Sequence, residues 1–226
     1  MTKPVNTDMA EYYAVRDNFD EEDIENPDGA DALDDIMDNL RTLMTGQHVL
    51  ELACGDGYWT DELAEYAASV LATDINPNLL EMAKGRELPE DVVQFAVADA
   101  LDPKVEGEFT ACFAGFWWSH VRRQDQVEVI GRIRKIIGQD GLLVLVDNSQ
   151  VDTEKTVIAR TDLEGNTYQI HAAPNGERYE ILKNYYTSST LRKRLGPLLK
   201  DMRVHFFEHY CCLLYTSDAA DDSLRV

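Results

Sequence analysis

Short apolar runs alternate with amphipathic segments through the middle of the chain. Five runs are typical of buried strands: His48–Cys54, Ser69–Asp74, Val92–Asp99, Phe109–Phe116 and Gly141–Asn148. Apolar residues at helical spacing predict helices between them, over Trp59–Tyr66, Asn78–Leu88 and Asp125–Ile137. In the last of these helices the predicted apolar stripe is Val127, Ile130, Ile133, Ile136 and Ile137. Strands alternating with helices predict an α/β fold around a doubly wound, mostly parallel sheet.

The pattern changes at both ends of this region. Before it, apolar residues at helical spacing predict a helix within Asp28–Met44, part of a helical cap over residues 1–45. After it, three runs predict antiparallel strands, so residues 149–186 are expected to form a small β insertion or lid: Thr156–Arg160, Asn166–Ala172 and Arg178–Tyr185. A helix over Ser189–Lys200 and a strand over Met202–Tyr210 complete one predicted domain, residues 1–211.

The charge balance limits the possible partners. The chain has 226 residues, with 21 Lys and Arg against 42 Asp and Glu, a formal net charge of −21. This charge repels a phosphate backbone, so nucleic acid is not an expected partner. Thirteen of the acids lie within the first 40 residues, against Lys3 and Arg16. A solvated helix face, a field that attracts cationic ligands and adaptation to salt all remain open as explanations.

Nothing in the sequence indicates a membrane or an oxidising compartment. The apolar runs are shorter than the roughly 20 residues that cross a bilayer, and Met1–Ala10 does not have the pattern of a secretory signal. The four cysteines lack zinc-site spacing, so we expect reduced thiols and no metal. A cytoplasmic monomer or homodimer is the resulting expectation.

The end of the chain has an unusual composition. The segment Cys212–Asp222, CLLYTSDAADD, resembles a translated sequencing adapter. We therefore expect residues 212–226 to be an artefactual tail on a gene of metagenomic origin, and we give this segment no functional role.

The segment HVLELACGDGYWT contains the most informative pattern. An apolar strand leads through Glu51, Ala53, Gly55 and Gly57 directly into a predicted helix. Small residues allow a ligand close to the backbone. Asp56 and Glu51 would repel a pyrophosphate, so the acids count against a dinucleotide and favour a cationic ligand.

This segment resembles the first motif of the class I, Rossmann-like S-adenosylmethionine-dependent methyltransferases of the small-molecule type. The resemblance implies a seven-stranded sheet with a β insertion after the fifth strand. It also implies S-adenosylmethionine as cofactor, S-adenosylhomocysteine as product, and a cofactor site at Glu51, Ala53, Gly55 and Gly57. Ala53 stands where glycine is most usual in the family.

The ends of the second and third strands extend this resemblance. Asp74 is placed to accept both ribose hydroxyls, although it could instead cap the helix that follows. By resemblance, Ile75 would pack on the adenine, Asp99 would accept from the adenine amino group, and the backbone of Ala100 would contact the ring. A plain surface-loop acid is the alternative for Asp99.

The segment after the fourth strand is expected to face the methyl acceptor. Phe116 is assigned to the cofactor, and Trp117 and Trp118 to the acceptor or to packing under the lid. His120 titrates near neutral pH and is the candidate catalytic base, with a purely structural role as the alternative. The segment lacks the Asn/Asp-Pro-Pro-aromatic motif of amino-methyltransferases that act on nucleobases or glutamine amides.

Residues outside the central region complete the expected site. Glu11–Arg16 resembles the N-terminal helix that covers the cofactor in many relatives, so Tyr13 and Arg16 are assigned to the cofactor and Tyr12 to the acceptor. A surface ion pair is the alternative for Arg16. Tyr168, Tyr185 and Tyr186 of the β insertion are further acceptor candidates.

The sequence thus favours an enzyme that moves a methyl group to an oxygen or nitrogen of a small molecule. A non-catalytic S-adenosylmethionine-binding regulatory or partner protein is the alternative, and a dinucleotide-dependent oxidoreductase is disfavoured by Glu51, Asp56 and Thr60.

Overall fold

The computed structural model describes residues 5–15, 30–149, 157–199, 202–207 and 209–215. Six α-helices occur in these residues: α1 Met9–Val15, α2 Ala30–Met44, α3 Tyr58–Ala64, α4 Pro77–Lys84, α5 Gln126–Ile137 and α6 Ser188–Leu195. The strands are β1 His48–Leu52, β2 Ser69–Asp74, β3 Val93–Val97, β4 Ala111–Gly115, β5 Leu142–Asn148, β6 Ile158–Thr161, β7 Thr167–Ala172, β8 Arg178–Leu182, β9 Arg203–Phe206 and β10 Tyr210–Tyr215. A short 3₁₀ turn spans Trp118–His120.

Seven strands form one sheet in the order β3-β2-β1-β4-β5-β10-β9. The first five are parallel, and β10 runs antiparallel to both of its neighbours. The order reverses direction between β1 and β4, which in parallel α/β sheets opens a ligand crevice at the carboxyl ends of the strands. The predicted α/β class and mostly parallel sheet are confirmed.

The end of the chain differs from the sequence expectation. In place of one strand over Met202–Tyr210, the structure has the antiparallel pair β9 and β10. Cys212, Leu213 and Leu214 pair with Val146, Leu145 and Val144 of β5. The expected boundary between domain and tail, at residue 212, therefore lies inside a strand of the sheet, whereas residues 216–226 lie outside the described residues.

Two apolar layers cover the sheet. On one face α2 and α3 contribute buried side chains that include Ile36, Leu40 and Leu63. On the other face α5 packs through Ile130 and Ile133. Successive strand residues point to opposite faces, so the central strands β1, β4 and β5 contribute to both layers and are nearly continuously apolar. Among the described residues, no helix is long and apolar enough to cross a membrane.

The stripe predicted for α5 is partly wrong. Val127 is 47% exposed, whereas Val129 is buried at 1%. The helix begins at Gln126, and Ile130, Ile133 and Ile137 fix which side faces the sheet. Val129 lies on that side and Val127 does not, because the two residues are about 200° apart around a helix with 3.6 residues per turn.

The strands β6, β7 and β8 form a separate antiparallel sheet, which we call the lid sheet. The helix α1 packs on it through Tyr12, whose ring lies 5.5 Å from that of Tyr179. Asn6 extends the lid sheet, since its N–H donates to the carbonyl of Arg178 at 2.8 Å and its own carbonyl accepts from Glu180 at 2.7 Å. The N-terminal helix and the lid sheet are thus one packed unit.

Gly115 at the end of β4 allows a close contact that the core requires. The buried indole of Trp59 occupies the position that a Cβ on Gly115 would take. We expect Gly115→Ala to lower the free energy of unfolding by about 1 to 3 kcal/mol through overpacking, measured by urea unfolding.

A matched control is Gly131→Ala within α5. Apart from the backbone of the helix itself, no described atom lies within 4 Å of the position that a Cβ would take there. This change should raise stability by about 0.5 to 1 kcal/mol because alanine favours the helix. Equal effects of the two substitutions would contradict this account of Gly115.

Candidate active site

The candidate site lies at the carboxyl edge of the parallel strands, where β1, β2 and β5 each have an acidic residue in their last two positions. Glu51 and Asp74 are buried at 1% and 6% exposure, and Asp147 at 2%. Burial of three carboxyl groups is costly unless each has partners. Their partners define the loops around the site.

The loop after β1 has a backbone that suits small residues. Ala53, Gly55 and Gly57 have positive φ values of 54°, 59° and 87°. A Cβ on Gly57 would lie 2.9 Å from the Cβ of Ala83 in α4, so the loop packs directly on that helix. Arg86 secures the contact, because its Nε donates to the Asp56 carbonyl at 2.6 Å and its Nη2 to Asp56 Oδ2 at 2.7 Å.

Asp74 joins two neighbouring strand ends. Its Oδ2 accepts from the N–H of Gly55 at 3.0 Å, and its Oδ1 accepts from the N–H of Asn76 at 2.8 Å. Burial raises the pKa of this carboxyl, and the surrounding backbone N–H groups oppose that rise. The residue that caps α4 is Asn76, whose Oδ1 accepts from Asn78 at 3.0 Å, so Asp74 is not the helix cap. Both oxygens keep lone pairs for a ligand.

Glu51 is the most perturbed acid of the site. It accepts a hydrogen bond from Thr60 Oγ1 at 2.7 Å. Burial raises its pKa from 4.5 to about 8, and the charges of Asp74 and Asp56 add to the effect. Burial thus favours the protonated form of Glu51 at pH 7, whereas a bound cation would favour its ionised form.

Exposed apolar side chains lie at or just after the ends of β2 and β3. Ile75 is 52% exposed, Val97 61% and Leu101 37%, and Val97 pairs in register with Asp74. Asp99 is exposed and accepts from the N–H of Leu101 at 2.8 Å, while Ala100 is buried. A flat apolar group could contact these side chains beside polar atoms. Sequence reasoning missed Val97 and Leu101.

Of the three aromatic residues after β4, two are half-buried at the edge of the sheet and one is buried in the core. Phe116 is half-buried with φ 56°, and its ring centroid lies 5.9 Å from that of Trp59. Trp117 is half-buried, whereas Trp118 is 2% exposed and belongs to the core layer that contains α5. Little of the Trp118 side chain is left for an acceptor to contact.

His120 joins three parts of the molecule. Its Nδ1 lies 2.5 Å from the carbonyl oxygen of Leu182 in the lid sheet, and its Nε2 lies 3.0 Å from the hydroxyl of Tyr13 in α1. A carbonyl accepts, so Nδ1 carries the proton and Nε2 accepts from Tyr13. Burial lowers the pKa of His120 to about 4, with a further contribution from Lys183. The ring is neutral at pH 7, and the sequence expectation of titration near neutral pH is corrected.

The structure adds an ion pair that sequence reasoning missed. Lys183 Nζ lies 3.3 Å from Asp147 Oδ1 and 2.7 Å from Asn148 Oδ1. Asp147 Oδ2 also accepts from the N–H of Ser119 at 2.6 Å. The signal for Asp147 was available, because Asp147 and Asn148 end an apolar strand at the same edge as Asp74. No pattern in the sequence marked Lys183.

The tyrosines of the β insertion lie in three different environments. Tyr168 faces the outer side of the lid sheet, where its hydroxyl donates to Asp162 at 3.1 Å and Arg160 lies 3.7 Å above its ring. Tyr186 is 6% exposed and packs in the core. Tyr185 is half-buried, and its hydroxyl accepts from Gln169 Nε2 at 3.1 Å.

The inner side of the lid sheet carries residues that sequence reasoning did not select. Gln169 and His171 are neighbours on it, with His171 Nε2 3.2 Å from Gln169 Oε1. Tyr12 packs near this pair, its ring centroid 5.7 Å from that of His171. Arg16 lies outside the described residues. Within the part of the chain that is described, no group of three His, Cys, Asp or Glu side chains could hold a metal ion.

Comparison with known proteins agrees with the predicted fold and finds methyltransferases among the similar proteins. Residues 49–141 match a family model described as a methyltransferase domain. The magnesium-protoporphyrin O-methyltransferase of Rhodobacter capsulatus is 36% identical over 115 residues, which are 50% of this chain and 49% of that protein. The O-methyltransferase cnsE of Penicillium expansum is 32% identical over 107 residues, 45% of this chain and 38% of that protein. The chain thus spans about half or less of the length of these curated relatives.

A solved structure extends the similarity across nearly the whole chain. The DhpI–SAM–HEP complex superposes with a TM-score of 0.75 and 23% identity, covering 90% of this chain and 94% of the other. Residues 49–141 are thus similar to a methyltransferase domain, and the fold of the chain is the one that the sequence resemblance predicted.

The raised pKa of Glu51 predicts a pH-dependent stability. The folded value of about 8 lies above the ordinary 4.5, so the stability contributed by Glu51 is complete below pH 4.5 and is lost as the pH rises to 8. Relative to Glu51→Gln, the free energy of unfolding of the wild-type protein should fall by about 1.4 kcal/mol per pH unit in this window. Urea unfolding at several pH values measures this slope.

The control for this measurement is Glu90→Gln, at an exposed position. The difference between this variant and the wild type should not change with pH. A difference between wild type and Glu51→Gln that is equally flat would show that Glu51 ionises normally in the folded protein.

Proposed function

We propose that the protein is an S-adenosylmethionine-dependent methyltransferase that methylates an oxygen or nitrogen of a small molecule. The observation that carries this proposal is the glycine loop fixed by Asp74 beside the buried Glu51. Positive backbone angles let a ligand approach the loop, and the surrounding acids suit a cation. The O-methyltransferases among the relatives support oxygen as the acceptor atom.

The residues present fit this cofactor. Asp74 would accept the ribose hydroxyls, and the exposed surface of Ile75, Val97 and Leu101 would receive the adenine, with Asp99 and Ala100 at its polar edge. Glu51 would act on the cationic end of the ligand and give up its proton when a positive charge binds nearby. Gly55, Gly57, Ala53 and Phe116 would shape the surface between these groups.

We assign the acceptor to the space between the sheet edge and the unit of α1 and the lid sheet. Tyr13 and Leu182 of that unit both contact His120, which supports a role for residues 1–45 and 149–186 as cap and lid. Trp117, Tyr12 and Tyr185 are acceptor candidates. A covered site excludes water, which would otherwise compete as acceptor and weaken every electrostatic contact.

Catalysis would depend mainly on positioning. When bound, S-adenosylmethionine supplies a methyl group on a good leaving group. The protein holds the acceptor in line with that group and provides a base for its proton. His120 is neutral and has its tautomer fixed by Leu182, so it is in the protonation state that a base requires.

Substitution of Asp74 tests the cofactor site. Asp74→Asn should weaken binding of S-adenosylmethionine and S-adenosylhomocysteine by about 1 to 3 kcal/mol, because charge-assisted hydrogen bonds to the ribose are lost. Isothermal titration calorimetry measures the change, and thermal unfolding without ligand shows whether the loop has also been disturbed.

Asp91→Asn at an exposed position before β3 is the matched control and should bind as the wild type does. Unchanged binding by Asp74→Asn, or comparable binding of NAD by the wild-type protein, would overturn this assignment of the site.

His120 is tested by rate and pH. With an alcohol acceptor found in a screen for S-adenosylhomocysteine production, His120→Gln should transfer the methyl group about 10² to 10⁴ times more slowly with nearly unchanged cofactor affinity. Because the pKa of His120 is lowered to about 4, the wild-type rate at saturating cofactor and acceptor should stay flat from pH 8 to about pH 5 and fall below that.

A wild-type acidic limb near pH 6.5, or a His120→Gln variant as fast as the wild type, would contradict this role. A protein that binds the cofactor but gives no product with any acceptor would instead support the non-catalytic binding protein.

A further inference from the structure

Both ring nitrogens of His120 are already occupied. Nδ1 donates to the Leu182 carbonyl at 2.5 Å, and Nε2 accepts from the Tyr13 hydroxyl at 3.0 Å. The lone pair of Nε2, the basic site of the ring, therefore points at Tyr13. A proton coming from the acceptor reaches this lone pair through the Tyr13 hydroxyl or after that hydroxyl has been displaced.

A phenolic hydroxyl can donate one hydrogen bond and accept others at the same time. The ring of Tyr13 stands edge-on to His120, with centroids 5.7 Å apart and planes at 74°. Tyr12 packs the same turn of α1 against the lid sheet, so Tyr13 lies beside His120 without any contribution from a ligand. The hydrogen bond to Nε2 thus belongs to the packed arrangement of the cap and the lid.

We propose that Tyr13 is a further catalytic residue, whose hydroxyl accepts the proton of the methyl acceptor while it passes its own proton to Nε2 of His120. This inference rests on the proposed methyltransferase function and differs from the sequence expectation, in which Tyr13 served the cofactor.

The step balances as follows. The acceptor oxygen forms a bond to the methyl carbon as the bond from that carbon to sulfur breaks, and the sulfur keeps the electron pair. The acceptor O–H bond breaks and its proton joins the Tyr13 oxygen. The Tyr13 O–H bond breaks in turn and its proton joins Nε2. Tyr13 ends as a neutral phenol and His120 as an imidazolium, which returns its proton to solvent after the products leave.

The surroundings of His120 act on the charge of its ring in both directions, and on balance they disfavour the imidazolium. Asp147 favours the charged ring, whereas Lys183 and His171 oppose it, as does burial. The balance keeps the ring neutral before the reaction, so its lone pair is available. A weak base suffices during transfer, because the acceptor oxygen becomes more acidic as it gains the methyl group.

The hydrogen bond itself can be tested without cofactor or acceptor. The NMR titration of the His120 imidazole, assigned by its absence in His120→Gln, gives the pKa of the ring in the free protein. Tyr13→Phe removes a donor that favours the neutral ring, so the pKa of His120 should rise by about 0.5 to 1 unit. An unchanged value would show that the hydroxyl does not bind Nε2 in solution. It would overturn the proposed path of the proton from the acceptor through Tyr13 to His120, which we call the relay.

Tyr179→Phe is the matched control. The Tyr179 hydroxyl also joins the lid sheet to α1, donating to Glu11 Oε1 at 3.2 Å, but among the described residues no hydrogen bond links it to His120. This variant should leave both the titration of His120 and the transfer rate at wild-type values. A shift of the same size in Tyr179→Phe would attribute the effect to a displaced helix and count against the relay.

The relay also requires a specific pattern of single-turnover rates. Tyr13→Phe should slow methyl transfer at least about tenfold, and the double variant Tyr13→Phe, His120→Gln should be no slower than the slower single variant, because both groups serve one proton path. Rate losses that multiply would show two independent roles and overturn the relay. An active wild type with an equally active Tyr13→Phe overturns the relay alone, whereas a wild type that forms no S-adenosylhomocysteine overturns the proposed function as well.

Discussion

Two hydrogen bonds from backbone N–H groups to carboxylates hold the loops at the site edge. Asp74 at the end of β2 accepts from Gly55 in the loop after β1, and Asp147 at the end of β5 accepts from Ser119 in the turn after β4. In each case the acid of one strand fixes the loop of its neighbour. A charge-assisted bond of this kind is about twice as strong as a neutral one, and burial strengthens it further. The shape of both halves of the site follows from these two contacts.

Four acids lie close to this edge, and the partner of each one determines its charge. Asp147 has a cation, Lys183, and Asp56 has Arg86, whereas Asp74 accepts from backbone N–H groups and Glu51 from a neutral hydroxyl. Glu51, the most deeply buried of the four, responds by holding its proton. A cationic ligand would replace that proton, so the site is matched to a ligand that brings a positive charge. The match between these acids and a positive charge is local to the carboxyl edge of the sheet. It does not depend on the high net negative charge of the whole chain.

The sequence predicted the parts of the fold and site that depend on local pattern. The five parallel strands and the helices between them follow from apolar periodicity. Glu51 was selected by the resemblance of its segment to a known methyltransferase motif, and Asp74 by its place at the end of the second strand. Tyr168 shows where this reasoning stops. It lies on the outer side of the lid sheet, whereas Gln169 and His171 lie on the inner side, and strand register alone decides which residues face inward. Lys183 could not be found either, since its partner Asp147 is 36 residues away and the contact depends on how the lid sheet sits on β5.

In the proposed function, the contacts of His120 would make its catalytic role independent of the side chains that select the acceptor. Its orientation depends on a backbone carbonyl of β8, which persists when the side chain of Leu182 changes. Side chains that line the inner face of the lid sheet, such as Gln169 and His171, can therefore vary without loss of the tautomer that leaves Nε2 basic. The partners of His120 are 62 and 107 residues away in the chain, so its geometry requires that the lid sheet and the N-terminal helix be docked together. If His120 is the base, as we propose, its assembly and the enclosure of the acceptor would be a single structural event.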